Sequence, residues 1–306
     1  MRIFSLVIRP LSILLTRRRW AGTENVPRRG GVILAVNHIS LVDPPLLAHY
    51  VYTHLRRVPR FMAKSELWGV PILGPLLRAA GQIPVHRQAA TVSDSLRDAV
   101  AALRAGQLVV VYPEGTITRD PDQWPMRART GVARLALESG APVIPVAQWG
   151  AQRLLPREGA PRLWPRAEVM IEAGPPVDLA EFTAPGAEAD PRLVSARIMA
   201  DVAAILARHR GAEAPAGVWD PRSGRRELPT VAVVDEIAPK AGIPSQADPA
   251  VQADSAVPAD SAVPASVPSQ LGGLEPPAPG GADAADTAPG EGADDASRPI
   301  GGRKTA

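Results

Sequence analysis

A histidine and an aspartate separated by four residues form the strongest chemical signal in this sequence. His38 and Asp43 follow the run Gly31–Val36, whose length and β-branched side chains are typical of a strand buried on both faces. Open α/β sheets bind their ligands at the carboxyl ends of such strands. A neutral imidazole accepts a proton from a hydroxyl near neutral pH, and a carboxylate on its other nitrogen fixes the tautomer. The pair is therefore a candidate general base for a hydroxyl that the substrate supplies.

A purely structural interpretation of the same pair stays open at this point. Asp43 directly precedes Pro44 and Pro45, which open a predicted helix, and it is well placed as the N-cap of that helix. His38 is then an ordinary loop residue. The spacing of the two residues is compatible with both interpretations.

Two further groups of residues have the chemistry of an anion site. Arg87 ends a second apolar segment, and Glu114, Gly115 and Thr116 follow the predicted strand Leu108–Tyr112. A guanidinium offers a fork of donors that suits phosphate. Glycine permits close backbone approach, and the Gly115 N–H and the Thr116 hydroxyl are further candidate donors. If the two strands are neighbours, this anion site faces the histidine and the aspartate.

Four sequence blocks in this order and spacing resemble those of the glycerolipid acyltransferases, and among them the bacterial 1-acyl-glycerol-3-phosphate acyltransferases. The resemblance covers about residues 20–180, and the first and third blocks are the specific ones. The blocks are Asn37-His38-x4-Asp43, Gly81-x-Ile83-Pro84-Val85-x-Arg87, Tyr112-Pro113-Glu114-Gly115-Thr116 and Val143-Ile144-Pro145-Val146.

The resemblance implies a reaction and a role for each block. His38 deprotonates the hydroxyl of a lysophospholipid acceptor, lysophosphatidate, and Asp43 orients His38. The hydroxyl attacks the thioester of acyl-CoA or acyl carrier protein directly, without a cofactor or a metal, and gives phosphatidate for phospholipid biosynthesis. Arg87 and the Glu114–Thr116 block bind the acceptor phosphate, and the Val143–Val146 block serves the donor side and the structure. A backbone N–H near His38 is a candidate donor to the oxyanion that forms.

One departure from the family pattern concerns the acceptor. The third block usually reads Glu-Gly-Thr-Arg, whereas Thr116 is followed here by Ile117, and the next arginine is Arg119. Either Arg119 replaces the missing cation, or the acceptor is different, such as glycerol-3-phosphate or another lysolipid.

The remaining patterns predict an α/β fold with a central mixed, mostly parallel sheet flanked by helices. Apolar runs predict strands at 143–147 and 168–173, besides the two already named. Helical spacing and glycine stops predict helices at 93–105, 131–139 and 192–209. The segment 67–81 is interrupted by glycines and prolines, and we expect no regular helix there.

The N-terminal segment 1–22 is predicted to associate with a membrane as an amphipathic helix. Its apolar run from Ile3 to Leu15 is too short to span a bilayer and is followed, not preceded, by arginines, unlike a secretory signal. An apolar stretch before Arg17–Arg19 and Trp20 suits the headgroup region of an anionic membrane. A core helix with a charged end is the alternative. We expect the protein at the cytoplasmic side of the cell membrane, as a peripheral or monotopic protein.

Charge and composition divide the rest of the chain. Residues 1–210 carry 27 Lys and Arg against 17 Asp and Glu, whereas residues 211–306 carry 7 against 14. The second part is rich in Pro, Ala, Gly and Asp and repeats Ala-Asp-Ser-Ala-Val-Pro at 253–258 and 259–264. We therefore predict an acyltransferase domain at 23–210 and a disordered tail at 211–306.

Other functional classes fit less well. Cysteine is absent from the sequence, which excludes disulfides and thiolate chemistry. The dispersed arginines show no nucleic-acid motif, so nucleic acid is not an expected partner. A serine hydrolase is disfavoured because no Gly-x-Ser-x-Gly occurs. A non-catalytic membrane adaptor, with a basic body and an acidic tail that recruits proteins, stays open as an alternative.

Overall fold

The computed structural model describes residues 2–86, 89–184 and 186–228, without the side chains of residues 2–5, 7 and 89–93. Every described residue belongs to one compact unit. The greater part of the predicted tail, residues 229–306, lies outside the described residues.

A seven-stranded sheet forms the centre of the fold, and its order is β1-β7-β6-β2-β5-β3-β4. Every strand pair in it is parallel except β6 with β7, so the predicted mixed, mostly parallel sheet is confirmed. The strands are β1 Thr16–Ala21, β2 Val32–Val36, β3 Pro59–Lys64, β4 Ile83–Val85, β5 Leu108–Val111, β6 Val143–Trp149 and β7 Ala167–Ala173. A separate antiparallel hairpin consists of β8 Val218–Asp220 and β9 Arg225–Glu227.

Helices cover both faces of the sheet. They are α1 Arg2–Leu15, α2 Asp43–Tyr50, α3 Leu73–Ala79, α4 Ala89–Arg104, α5 Gly131–Ser139, α6 Ala151–Leu154, α7 Ala180–Thr183 and α8 Pro191–Arg210. The short α3 lies in the segment for which no regular helix was expected, and the 3-10 turn Ser65–Gly69 precedes it. That expectation is wrong because Pro71 and Pro75 fall before or within the first turn of the helix, where a missing N–H is tolerated.

The continuous apolar pattern of β2 follows from its central place in the sheet. Val32, Leu34 and Val36 pack on the side of α2, whereas Ile33 and Ala35 pack on the side of α4, α5 and α8. All five residues are fully buried. A strand with both faces covered by helices needs no polar alternation, and this is why the run could be recognised.

Both predicted domain boundaries need correction. Residues 16–21 form β1, which pairs in register with β7, so the N-terminal segment is partly a strand of the main sheet. At the other end, the hairpin of β8 and β9 follows the predicted end at residue 210. Arg226 in this hairpin forms a two-bond ion pair with the buried Asp120, which explains how a polar segment stays folded onto the domain.

In the described part of the chain, no helix combines the length and the apolar character needed to cross a bilayer.

Candidate active site

The predicted catalytic residues lie where two neighbouring strands end. β2 and β5 are parallel partners, with Ala35 opposite Val111. The chain segments that leave their carboxyl ends therefore meet at the same edge of the sheet, as expected from the sequence. His38 lies two residues after β2, and Glu114 lies three residues after β5.

The two members of the predicted base pair are in direct contact. His38 Nδ1 lies 2.8 Å from Asp43 Oδ2. Because an ionised carboxylate only accepts hydrogen bonds, Nδ1 carries the proton and the lone pair of the neutral ring is on Nε2. Asp43 is fully buried, whereas 15% of the His38 side chain is exposed. The ring can therefore be reached by a substrate hydroxyl while its orienting carboxylate is shielded.

Asp43 does not cap the helix that begins with it. Its Oδ2 accepts the backbone N–H groups of Ile39 and Ser40, at 2.7 and 2.8 Å, and the N-cap of α2 is Val42. The carboxylate thus turns back onto the loop of His38 and holds it through three hydrogen bonds. The structural alternative for Asp43, a plain N-cap, is wrong.

The His38 ring and its loop are fixed by two further contacts. Tyr112 stacks on His38 with ring centroids 4.3 Å apart and planes 24° from parallel. Burial raises the pKa of the Tyr112 hydroxyl, and the nearby Asp43 charge acts in the same direction. Asn37 exchanges backbone and side-chain hydrogen bonds with Gln148 on β6 at 2.8–3.0 Å. The loop is therefore attached to the strands on both sides of β2.

Glu114 braces two loops. Its carboxylate accepts the N–H of His38 at 2.8 Å and the N–H of Met126 at 2.9 Å, and the side chain is buried. Burial raises the pKa of Glu114 to about 8, although both hydrogen bonds oppose the shift. The prediction that Glu114 belongs to the acceptor-phosphate site stays a prediction, and these contacts give the residue a bracing role.

The backbone donors predicted near the site are engaged elsewhere. The Gly115 N–H donates to the Tyr112 carbonyl at 2.9 Å, within the turn, so it does not serve as the predicted phosphate donor. The N–H groups of His38, Ile39 and Ser40 donate to Glu114 or Asp43. These three N–H groups are therefore engaged within the protein, and the expectation of an oxyanion donor near His38 stays a prediction.

Arg129 lies against the turn of the third block, and the sequence did not single it out. Gly115 has φ +71°, and a Cβ placed there would lie 2.8 Å from Arg129 Nε. The Arg129 N–H donates to the Pro113 carbonyl at 2.9 Å, which ties the two segments together. The positive φ and the close guanidinium both require glycine at this position. An arginine 14 residues downstream carries no spacing signal, so only the fold reveals it.

The other predicted phosphate residues are placed as follows. Thr116 is half-buried in the turn, and Arg119 is exposed. Arg87 lies outside the described residues. Thr118 donates its N–H to the His38 carbonyl at 2.8 Å, so the segment after Thr116 packs on the loop of His38. The roles of Arg87, Thr116 and Arg119 stay predictions.

The hairpin of β8 and β9 holds the segment after Thr116 in place. Arg226 donates to both carboxylate oxygens of Asp120, at 2.7 and 2.9 Å, and Thr118 accepts the Asp120 N–H at 3.2 Å. Arg127 donates its N–H to the Trp219 carbonyl at 2.9 Å. A continuous set of contacts thus runs from the hairpin through the 118–127 loop to His38.

Comparisons with known proteins find similar sequences. An acyltransferase family model matches residues 17–149. The chain is 31% identical over 132 residues to the 1-acyl-sn-glycerol-3-phosphate acyltransferase of Borreliella burgdorferi, covering 41% of this chain and 48% of that one. It is 27% identical over 159 residues to the enzyme of the same name from Bacillus subtilis, covering 52% and 73%.

Among solved structures, the fold is similar to that of the 1-acyl-sn-glycerophosphate acyltransferase PlsC from Thermotoga maritima. The TM-score is 0.51 at 23% identity, with 70% of this chain and 83% of that chain covered. The chain spans about half the length of the first curated relatives that it matches.

Proposed function

We propose that the chain is a 1-acyl-sn-glycerol-3-phosphate O-acyltransferase, from the premise that an acyltransferase family model matches residues 17–149. It transfers a fatty acyl group from acyl-CoA or acyl carrier protein to lysophosphatidate and forms phosphatidate. The contact of His38 Nδ1 with the buried Asp43 carboxylate at 2.8 Å supports the proposal most directly. The names of the relatives from Borreliella and Bacillus support the acceptor.

The proposed reaction is a direct transfer that needs no cofactor. His38 Nε2 takes the proton of the acceptor hydroxyl as its oxygen attacks the thioester carbon. Asp43 stabilises the imidazolium that forms. As the C–S bond breaks, the imidazolium returns the proton to the departing thiolate, so the products are an ester and a free thiol.

The acceptor phosphate is proposed to lie at the turn of the third block. Gly115 keeps this turn free of a side chain, and the Arg129 guanidinium lies beside it. A guanidinium binds phosphate in a bidentate manner, which makes Arg129 a candidate for the cation that the Glu-Gly-Thr-Arg pattern supplies elsewhere. Arg87, Thr116 and Arg119 stay proposed members of the same site.

We place the protein peripherally at the cytoplasmic side of the cell membrane, where its apolar acceptor is found. Large apolar side chains are exposed on α1 and around α3, among them Leu6, Leu14, Val70 and Ile72. Exposed apolar side chains beside arginines suit the interfacial region of an anionic bilayer.

A panel of acceptors tests the proposed function. Purified protein is incubated with labelled acyl-CoA and, in separate reactions, lysophosphatidate, glycerol-3-phosphate or other lysolipids, and the products are separated by chromatography. We expect the label in phosphatidate. Label only in another ester would reassign the acceptor and keep the chemistry. No transfer to any acceptor from either donor, with vesicle binding intact, would favour a non-catalytic adaptor.

A further inference from the structure

A basic cavity lies apart from the catalytic pair, between α1, β1 and the end of α2. Its volume is about 410 Å³. Arg9 and Ile13 line it from α1, and Arg18 and Trp20 line it from β1. His49 and His54 close the side of α2 and the turn that follows. Asp43 and His49 are six residues apart on α2, so the cavity is roughly 9 Å further along the helix than the catalytic carboxylate.

The charge of this cavity is uniformly positive. Arg9 and Arg18 are exposed beside it, and its lining contains no carboxylate. Arg18 lies over the Trp20 ring, 5.4 Å from its centroid, which holds the guanidinium near the wall. Burial, followed by the charges of Arg18, Arg9 and His54, lowers the pKa of His49 to about 4. His49 is thus neutral at pH 7, and the two arginines supply the charge.

The position of α1 beside the cavity is fixed. Ser12 is buried and its hydroxyl lies 2.7 Å from His49 Nδ1, which joins α1 to α2. Arg166 donates to the carbonyls of Ile13 and Thr16, the latter at 2.7 Å, and so holds the end of the helix. The cavity therefore has rigid walls on three sides.

Exposed apolar side chains lie on α1 and on the loop that Arg166 joins to the end of α1. Leu6 and Leu14 on α1 are 73% and 67% exposed. The loop that Arg166 anchors to α1 carries Leu163 and Trp164, which are 55% and 83% exposed. A surface with this composition inserts its apolar side chains at the boundary of headgroups and acyl chains, and tryptophan is a residue of that boundary.

We propose that this cavity binds the phosphate of an anionic membrane lipid, as a site separate from the acceptor site. The two arginines contact the phosphate, and Leu6, Leu14, Leu163 and Trp164 enter the bilayer around it. These exposed apolar side chains are the reason to favour a membrane lipid over a soluble phosphate as the source of the anion. The inference rests on the membrane location in the proposed function, but not on catalysis.

Vesicle co-sedimentation of the full chain, without acyl donor, tests this site. The probes are phosphatidylcholine vesicles with and without phosphatidylglycerol. We expect the variant Arg9→Gln/Arg18→Gln to bind the anionic vesicles about 30-fold more weakly, since each arginine near an anionic surface contributes about fivefold. The variant Arg28→Gln/Arg29→Gln removes the same charge from an exposed loop, and its affinity should change by less than about threefold.

The outcomes separate a lipid site from its alternatives. Equal losses in both variants would show that only net charge matters and would overturn the proposal. Saturable binding of inorganic phosphate, lost in Arg9→Gln/Arg18→Gln while binding to anionic vesicles persists, would assign the cavity to a soluble anion and also overturn it. A thermal unfolding scan of each variant confirms that both are folded. No step depends on acyl transfer, so a failure of the proposed reaction is seen separately.

Trp164 gives a second, optical readout. All six tryptophans of the chain lie in its described part, and Trp164 is the one that is mostly exposed. Anionic vesicles should shift the emission of the wild type to the blue, and Trp164→Phe should remove most of this shift while binding persists. An unchanged shift in Trp164→Phe would place the bilayer contact elsewhere and contradict the proposal.

Discussion

Asp43 determines which nitrogen of His38 can act as a base. One carboxylate oxygen accepts the His38 ring N–H and the N–H groups of Ile39 and Ser40. This arrangement leaves Nε2 unprotonated and holds the loop that carries the ring. The burial of this carboxylate is offset by the three donors that bind its Oδ2.

An asparagine at position 43 should impair the reaction through the loss of the negative charge. Its carbonyl oxygen can take the place of Oδ2, which alone accepts the His38 ring N–H and the two backbone N–H groups. The neutral amide then does not stabilise the imidazolium that forms when His38 takes the proton. We expect Asp43→Asn to lower kcat about 10²-fold with a small change in Tm. An active variant would show that Asp43 acts only in folding.

Substitutions of Arg129 and of Arg119 are expected to affect acceptor binding differently. Both side chains are exposed, and Arg129 is the one that lies against the Gly115 turn. A lost charge-assisted hydrogen bond is worth roughly 1.5–3 kcal/mol. We expect Arg129→Ala to lower kcat/KM for the acceptor about 10–150-fold while the KM of the acyl donor stays within about twofold.

Arg119→Ala is the comparison for this measurement, since it removes the same charge from the same loop region. We expect it to change kcat/KM by less than about threefold. The opposite result, a large loss of kcat/KM in Arg119→Ala and none in Arg129→Ala, would show that Arg119 binds the acceptor phosphate and Arg129 does not. Lysine should restore only part of the activity at the position that binds phosphate, because an ammonium lacks the fork.

Glu114 should make stability depend on pH. Its pKa is raised to about 8 in the folded protein by burial, against an ordinary value of 4.5. Between these values the unfolded chain releases the proton and the folded chain keeps it. The free energy of unfolding therefore falls as pH rises from 4.5 to 8.

Glu114→Gln isolates this contribution, because other groups such as His49 titrate in the same range. Chemical unfolding at pH 5 and pH 8 should show the wild type losing stability relative to the variant. If the free energies of unfolding of the two proteins differ by the same amount at pH 5 and at pH 8, Glu114 is ionised in the folded protein at both pH values.

At the scale of elements, the β8–β9 hairpin extends the catalytic domain beyond the part that matches the family model. It contacts the loop 118–127, whose Thr118 and Met126 reach His38 and Glu114. Arg226 is the main link, since its partner Asp120 is buried. The hairpin thus supports the loop of His38 through the 118–127 loop.

Arg226→Ala should loosen this loop. The substitution removes the two hydrogen bonds that the buried Asp120 carboxylate accepts from Arg226. We expect this to lower the free energy of unfolding by about 1–3 kcal/mol. Assayed well below Tm, kcat should fall several-fold with donor KM unchanged, and Arg226→Lys should recover part of it. Arg225→Ala, an exposed arginine next to it, is the control. If Arg226→Ala and Arg225→Ala have equal kcat at that temperature, the hairpin contributes to stability and does not position the loop of His38.

The parts of this fold that the sequence revealed are those with local signals. β2, β5, β6 and β7 are apolar runs, and α8 ends in glycine at Gly211, so their places were predictable. β1 reads Thr-Arg-Arg-Arg-Trp-Ala and β9 reads Arg-Arg-Glu, because edge strands and surface hairpins need no apolar pattern.

The candidate site also has parts that the sequence could reveal and parts that it could not. His38 and Asp43 are close in sequence, so their contact was predictable from spacing. The bracing role of Glu114 and the approach of Arg129 depend on loops that come together only in the folded chain. Such contacts leave no periodic or spacing signal in a single sequence.

At the scale of the whole molecule, the described domain carries the chemistry and a long acidic segment follows it. Because the composition after residue 228 is poor in large apolar side chains, we expect removal of 229–306 to leave the domain folded. A Tm within about 3 °C of the full chain and retained transfer are the expected results. Truncation after residue 211 should instead lower both, because it removes Arg226.

A truncation at 228 that behaves like the one at 211 would contradict this division. It would show that residues beyond the hairpin stabilise the domain.

The central claim is that His38 acts as the base for attack of a lipid hydroxyl on a thioester. Free thiol released from acyl-CoA in the presence of lysophosphatidate measures this step directly, for the wild type and for His38→Gln. His209→Gln, at the ion pair with Glu172, is a control that removes a histidine elsewhere. We expect His38→Gln to release thiol on the order of 10²–10⁴-fold more slowly at unchanged Tm, and His209→Gln to stay near the wild type. Acceptor-dependent thiol release by a folded His38→Gln protein at more than about a tenth of the wild-type rate would contradict the claim.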